Sequence, residues 1–518
     1  MLSGHGRFGI RVGSGDLNIG PGGCRAARAA KVRSEIRRPS AAGFTRPALT
    51  DFTLGPLMAA LDRAEFDRVD DTDVLAELAA THGRFGRGEP PAHPGLISWT
   101  TQAFRLFRVA RRHHEQWFGR SLPVPGGPSW VARDDRPRPD PRRGMSYYER
   151  SCWGRRYASD DGSARELWTF SFGVPKEKTA AELATIAYVA VHGAGGAATP
   201  HRVRLVGFGG AADRALVLRE CDSTEVDRIF DADARSVLTS VIDGIERTPG
   251  GDCTGCKLIE KCPAVLRHRL LPDLTIARRR RRTLSATDLR YYRDCPKRFH
   301  LVRELKLRDP ALTESAAVTT GRVVDAWLND RHLPVTASRC TPHDLRTGLS
   351  DGVIRRILAQ HTALCPVSSD PGQHRLVQPT LAAYDERLGV NLVATPDLLY
   401  SRNGRWVWRE TKTSAYPLRA GRSLMHTYPQ LAVGTLLLSA GAADRLAPGG
   451  SIELEHLQEN DCALEEIDVD LPEVIAEARA VVAEILGPLL DDTVFAAKTG
   501  PACAGCEARR WCAEGQQS

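Results

Sequence analysis

The chain contains no run of 18 or more apolar residues, so the sequence offers no membrane-spanning helix. Its first 20 residues lack the continuous apolar segment of a secretory leader, which leads us to expect a cytoplasmic protein with no membrane partner. A G-x-x-x-x-G-K-[ST] phosphate loop is also missing. Any activity driven by nucleotide hydrolysis at such a loop therefore needs a separate ATPase partner. Neither sign of charge dominates. The formal net charge of +8 is compatible with a polyanionic partner without establishing one. With 42% hydrophobic and 26% charged residues over 518 positions, the composition is globular and long enough for two to four domains.

Thirteen cysteines stand out against these absences. In a reducing compartment they read as metal ligands or buried thiols rather than disulfides. "CTGCKLIEKC" places Cys253, Cys256 and Cys262 in a C-x2-C-x5-C array, and "CAGCEARRWC" repeats it with Cys503, Cys506 and Cys512. Each triplet is one thiolate short of the four that a zinc or iron–sulfur centre usually takes. Upstream, Cys24 and Cys295 each follow a Ser…Asp-Leu stretch and offer the fourth ligand, with Cys152 as the alternative to Cys24. Cys221, Cys340, Cys365 and Cys462 receive no role and read as buried thiols.

The similarity between the two halves extends beyond the cysteines. "GRWVWRETKTS" (404–414) aligns without gaps to "ARELWTFSFG" (164–173) when 240 is subtracted, and "GRVVDAWL" resembles "GPLMAALD". Their common order points to an internal duplication. In the second half we expect a helix near 315–330, strands at 390–401 and 405–413 joined at Asn403-Gly404, a helix at 423–440, two further strands and a helix from Pro472.

The chemistry concentrates on that hairpin. Asp397, in "ATPDLLY", should stand beside Glu410 across the antiparallel pair, with Lys412 on the same face because side chains alternate along a strand. Two carboxylates brought together repel unless a cation lies between them. Oxygen ligands of this kind suit Mg2+ or Mn2+, and Lys412 could steer or deprotonate a water.

Pro396-Asp397 followed by Glu410-x-Lys412 resembles the signature of PD-(D/E)XK nucleases. The flanking motifs are similar to the RecB-type exonuclease branch, which includes AddB and CRISPR-associated relatives that carry an iron–sulfur cluster. The resemblance covers residues 284 to 513 and rests on Cys295-Pro296 with Phe299, the terminal cysteine array, and Gln430 on a helix after the catalytic strand. It implies a 4Fe-4S cluster on Cys295, Cys503, Cys506 and Cys512, with zinc as the alternative. A second cluster is possible on Cys24, Cys253, Cys256 and Cys262. It also implies a divalent ion held by Asp325, Asp397, Glu410 and the carbonyl of Thr411, with Lys412 and Gln430 completing the catalytic set. Two positions depart from the family: Asp325 stands where a histidine ligand is usual, and Gly434 where a tyrosine is usual.

The expected fold class is α/β, with two restriction-endonuclease-like domains at 1–275 and 284–518. Each is a central mixed sheet flanked by helices and closed by a four-cysteine cluster, and a basic linker at 276–283 joins them. The gapless alignment maps Asp325, Asp397, Glu410 and Lys412 onto Ala59, Tyr157, Phe170 and Phe172, which makes the first copy inactive. The resemblance therefore implies a metal-dependent nuclease acting on single-stranded DNA or DNA ends in repair or recombination. The alternative is a catalytically weak or inactive DNA-binding scaffold. Arg278, Arg279, Arg280, Arg281 and Arg282, together with Tyr428, are the expected nucleic-acid contacts.

Overall fold

A computed structural model describes residues 9–20, 22–33, 53–83, 91–125, 129–133, 138–140, 144–193, 199–277, 281–334, 338–345, 351–368, 372–418, 421–443 and 446–518. Two five-stranded mixed sheets organise it. The first follows chain order: β1 (Ser121–Pro123), β2 (Arg155–Ser159), β3 (Ala164–Ser171), β4 (Arg202–Gly209) and β5 (Leu216–Asp222). The second does the same: β6 (Arg375–Val377), β7 (Leu398–Arg402), β8 (Arg405–Thr413), β9 (Gly450–Leu457) and β10 (Cys462–Asp468). In both, the first three strands are antiparallel, the third and fourth run parallel, and the fifth returns antiparallel.

A smaller sheet accompanies each. Gly9–Gly13 runs parallel to Gly144–Trp153, which Ser129–Arg133 joins antiparallel. Arg282–Ser285 likewise runs parallel to Val390–Ala394, which Leu381–Asp385 joins antiparallel. The end of the expected basic linker is thus a strand. Leu266–Arg267 also pairs with Leu381–Asp385, so the C-terminal end of the first half is built into the second.

Helices cover both large sheets. In the first half they are α1 (Pro94–Phe118) and α2 (Ala180–His192), and in the second α3 (Ala316–His332), α4 (Gly352–Leu364), α5 (Pro429–Ser439) and α6 (Pro472–Asp491). No described helix is long and apolar enough to cross a membrane.

Local chemistry explains the key boundaries. Asn403 (φ 54°) and Gly404 (φ 74°) take the left-handed pair of conformations that a two-residue hairpin turn requires. The strand expected over 390–401 is instead two. Val390–Ala394 belongs to the small sheet and β7 to the large one, and the chain changes sheet at Pro396, which has no N–H to give a ladder. Asp397 sits at that corner. The helix expected over 423–440 breaks before Pro429, because the preceding Tyr428 is disfavoured in helical geometry. From there α5 is buried on nearly every side, with Leu431, Val433, Leu436 and Leu437 packed against Trp406, Trp408, Ile452 and Leu454. Each such large apolar side chain contributes about 1.5–3 kcal/mol on burial.

The halves interlock through their cysteine loops. Cys253, Ile259 and Val265 pack on Ala382, Tyr384 and Val393 of the second half. Reciprocally, Ala508 and Trp511 pack into the core containing Leu96, Trp99 and Phe104 of α1. Gly95 makes room for this, since a Cβ there would lie 2.6 Å from the Trp511 carbonyl oxygen.

Candidate active site and cysteine clusters

The β7–β8 hairpin positions the acidic groups. Leu398 pairs with Arg409, which puts Asp397 opposite Glu410 at the open end of the hairpin. The Thr411 backbone N–H donates to Asp397 Oδ2 at 2.7 Å and fixes that carboxylate. Glu410 is 4% exposed and accepts from Trp408 Nε1 at 3.0 Å. Lys412 Nζ donates to Glu410 Oε2 at 3.0 Å and to the Thr411 carbonyl at 3.3 Å. All three side chains lie toward α5, the face that also holds Trp406 and Trp408.

The electrostatics follow from this crowding. Burial, then the neighbouring charge of Glu410, pushes Asp397 up to about 7, and Asp325 adds a smaller push. For Lys412, burial alone acts downward, but Glu410 and Asp397 outweigh it and hold the ammonium above the ordinary lysine range. One ammonium only partly neutralises this carboxylate pair. Arg290, from the helix Ala286–Asp294, adds positive field at Lys412.

Asp325 is carried on α3 and reaches the same neighbourhood. Its two oxygens accept from Gln378 Nε2 at 3.3 Å each, and the Gln378 backbone N–H donates to the Asp397 carbonyl, also at 3.3 Å. Gly321, one turn earlier on α3, lets the helix approach β8, because a Cβ there would lie 3.1 Å from Thr413 Oγ1. Gln378, Trp408 and Arg290 went unnoticed in the sequence. Only Trp408 carried a signal, as the residue two before Glu410 on the same strand face. Gln430 lies half-buried on the first turn of α5. Gly434, where a tyrosine is expected, is where Trp408 packs: a Cβ there would sit 3.1 Å from the indole.

The expected nucleic-acid contacts are placed differently. Arg281 donates to the Cys256 carbonyl at 3.1 Å and faces Glu260, while Arg282 pairs with Glu304 at 3.0 Å. Tyr428 packs against the core of the second half. Arg278, Arg279 and Arg280 lie outside the described residues.

The gapless mapping onto the first half is off by one residue. Trp168 and Phe170 face α1, in the core with Phe107, whereas Leu167 faces α2, the counterpart of α5. Because side chains alternate, the residues of β3 that face as Glu410 does are Arg165, Leu167, Thr169 and Ser171, not Phe170 and Phe172. The face still carries no carboxylate.

Both cysteine arrays adopt one local structure. Two short 3-10 turns follow a glycine with extended backbone, Gly250 or Gly500, and the N–H groups of Cys253 and Cys503 donate back to it. Cys24 and Cys295 both cap a helix, their sulfurs accepting from Ala27 N at 3.4 Å and Arg298 N at 3.5 Å. Cys295, Cys503, Cys506 and Cys512 line one pocket. In the first half, burial pushes the Cys253 thiol up to about 11, and the nearby Cys256, Cys24 and Cys262 add to the rise. Cys152 sits elsewhere, opposite Trp130 in the core beneath α2.

Backbone N–H groups also point at Cys256 from Leu258, at Cys295 from Lys498 and at Cys512 from Gly515, each at 3.4 Å, a donor set that suits thiolate ligands. Among the described residues, the group whose donor atoms all lie within 4.8 Å of one another is a different one, His332, Cys340, His361 and Cys365. Cys340 and Cys365 are buried, as expected, but they are not isolated thiols. Cys221 and Cys462 are only half-buried.

Residues 283–513 match the family model described as PD-(D/E)XK nuclease superfamily. No curated protein matches the chain. A solved structure described as "Crystal structure of SSO0001" is similar at 15% identity over 45% of this chain and 86% of that one, with a TM-score of 0.27, too low to argue from.

Proposed function

We propose that the second half is a Mg2+- or Mn2+-dependent deoxyribonuclease of the RecB-type exonuclease kind, hydrolysing single strands or ends during DNA repair or recombination. The observation that carries this reading is the convergence of Asp397, Glu410 and Lys412 at one corner, with Asp397 pushed up to about 7 by burial and then by Glu410. A carboxylate pair left this unbalanced gains most from a second cation. Asp397, Glu410, the Thr411 carbonyl and Asp325 supply the hard oxygen donors for it.

When bound, the divalent ion supplies Lewis-acid polarisation and charge neutralisation at the scissile phosphate. Lys412 bonds two of the donor oxygens, Glu410 Oε2 and the Thr411 carbonyl, and from there its ammonium would orient a water or a phosphate oxygen. Its raised pKa favours this positioning role over that of a base. Trp408 fixes Glu410, and Arg290 adds positive potential for the phosphate backbone.

The matched sheet order, pairing senses and cysteine loops support an ancestral duplication, with the first half retained as a support and a strand guide. The shared loop structure of the two arrays and the N–H donors aimed at their thiols support a 4Fe-4S cluster on each quartet. A helicase or ATPase partner would supply unwound substrate.

The test is cleavage of end-labelled single strands with magnesium by the full chain, where wild type cuts and neither Asp397→Ala nor Lys412→Ala does, although both still bind DNA. Unchanged cleavage in either variant sinks the proposal. A second reading, a non-cutting DNA-binding scaffold, is favoured by Asp325 in the histidine position and its engagement by Gln378. It is the outcome if wild type binds DNA in a salt-dependent way but never cuts.

A further inference from the structure

We propose a structural zinc site behind the catalytic strand, formed by His332, Cys340, His361 and Cys365. The four residues come from two stretches of chain, 332–340 and 361–365. His332 ends α3, Cys340 lies in the following loop, His361 is in the last turn of α4 and Cys365 directly follows that helix. All are buried, at 5%, 2%, 1% and 6% exposure respectively. One donor atom from each lies within 4.8 Å of all the others.

The separations match a single tetrahedral ion. With Zn–N near 2.05 Å and Zn–S near 2.3 Å, neighbouring nitrogen and sulfur ligands stand about 3.6 Å apart. His332 Nε2 lies 3.3 Å from Cys340 Sγ and 3.7 Å from Cys365 Sγ. A two-iron centre would put its imidazoles and thiolates on different irons and spread the donors wider. A closed set of two imidazoles and two thiolates, with no open position, is the pattern of a structural rather than a catalytic zinc.

Two independent observations point the same way. His361 Nε2 is buried without a hydrogen-bond partner, a cost a protein rarely bears unless that lone pair is used. The other ring nitrogen, Nδ1, is 2.7 Å from Glu455 Oε1, and Glu455 is 0% exposed. This carboxylate–histidine arrangement fixes the tautomer that leaves Nε2 free for a metal.

The site is tied to the hairpin. Glu455 also accepts from Thr411 Oγ1 at 2.9 Å, and the Thr411 N–H holds Asp397. The metal would therefore clamp α3 and α4 onto β8 and β9, and would position the strand that presents Glu410. The inference does not depend on cleavage, since zinc can be measured whether or not the chain cuts DNA.

The experiment is metal analysis and zinc-edge X-ray absorption on the anaerobically purified full chain. Wild type should hold one zinc with two sulfur and two nitrogen neighbours, distinct from its iron. Cys340→Ser should lose that equivalent with iron unchanged. His361→Cys, which keeps four ligands, should retain the zinc with one nitrogen replaced by sulfur. An all-sulfur shell in wild type, a shell unaltered in His361→Cys, undiminished zinc in Cys340→Ser, or a Cys340–Cys365 disulfide in zinc-free protein would each overturn the proposal.

Discussion

The two large sheets share strand order and pairing senses, yet Glu166 in the first and Asp397 in the second are treated in opposite ways. In the first, Glu166 on β3 is surrounded: His114 and Arg204 lie 2.8 Å away, Ser121 and Trp168 both donate at 3.2 Å, and Arg111 is at 3.3 Å. Burial acts to raise its pKa, but these partners, His114 foremost, hold it down to about 2. In the second, Asp397 faces Glu410 and is pushed up to about 7. A carboxylate whose oxygens are all matched is part of the scaffold. A pair that repels is poised for a cation and is tolerated only where function keeps it. The first sheet retains the architecture and places Arg165 and Leu167 on the face where the second holds its acids.

The sharpest way to break this contrast is catalytic. Asp397→Ala and Lys412→Ala should each lower cleavage by at least about 1,000-fold, the scale for losing a charge that acts only in the transition state. Thr169→Ala, on the corresponding face of the first sheet, should leave cleavage within about two-fold. Comparable losses from both sheets would mean that the first half also takes part in chemistry.

Next in size is the closure of each half by its cysteines. Cys24→Ser and Cys295→Ser should each remove about half the bound iron, whereas Cys152→Ser should remove none. A cluster on the proposed ligands would join Cys295 to Cys503 and close a loop of roughly two hundred residues. Losing so long a closure would cost on the order of 5 kcal/mol on the chain-entropy scale, read as a drop in denaturation midpoint. Each loop packs against the opposite half, so either variant should loosen both.

What was legible in the sequence is what depends on short-range geometry. The Asn403-Gly404 turn and strand alternation sufficed to bring Asp397, Glu410 and Lys412 together, and cysteine spacing alone reveals arrays that fold as local turns. The register between the halves was not legible. The hairpin turn in the second half is the two residues Asn403-Gly404, while Ser159–Ala164 is a longer connection in the first. Two residues separate Arg402 from Arg405 and six separate Ala158 from Arg165, an even difference that cannot exchange faces. The 240-residue offset itself has the wrong parity, so a gapless alignment places each residue on the opposite face. The His332–Cys340–His361–Cys365 group escaped notice because its H-x7-C-x20-H-x3-C spacing matches no compact pattern, and the ligands meet only once α3 and α4 pack on the sheet. Gln378 carried no signal, since its bond to Asp325 depends on tertiary placement. The arginine run read as free charge, yet Arg281 and Arg282 are held within the protein.

The pH dependence of stability sharpens the contrast further. Glu166 has a depressed folded-state pKa, so its contribution is present above the unfolded value near 4.5 and is lost as pH falls toward about 2. Asp397 is the reverse. Its raised pKa means that the folded state binds the proton more tightly, so stability falls as pH rises from about 4 through about 7. Glu166→Gln should cost about 2 kcal/mol at neutral pH and flatten the acid limb. Asp397→Asn should instead stabilise the metal-free protein above pH 7 by on the order of 1 kcal/mol and flatten the neutral limb. Urea midpoints measured across the pH range check both. Destabilisation by Asp397→Asn at pH 8 would show that the pair is already balanced.

The smallest contrast lies in two tryptophans that each bond a glutamate two residues away on their own strand. Trp408 Nε1 donates to Glu410 at 3.0 Å, and Trp168 Nε1 donates to Glu166 at 3.2 Å. Replacing either by phenylalanine removes one bond to a charged acceptor, worth about 1.5 kcal/mol. The consequences should differ because the acceptors differ. Glu166 keeps four other partners, so Trp168→Phe should cost stability and leave cleavage within about two-fold. Glu410 keeps only Lys412 among the contacts described above. Trp408→Phe should therefore lower kcat about ten-fold. A merely structural role for Trp408 predicts lower stability with kcat unchanged, and this outcome would detach the indole from the chemistry.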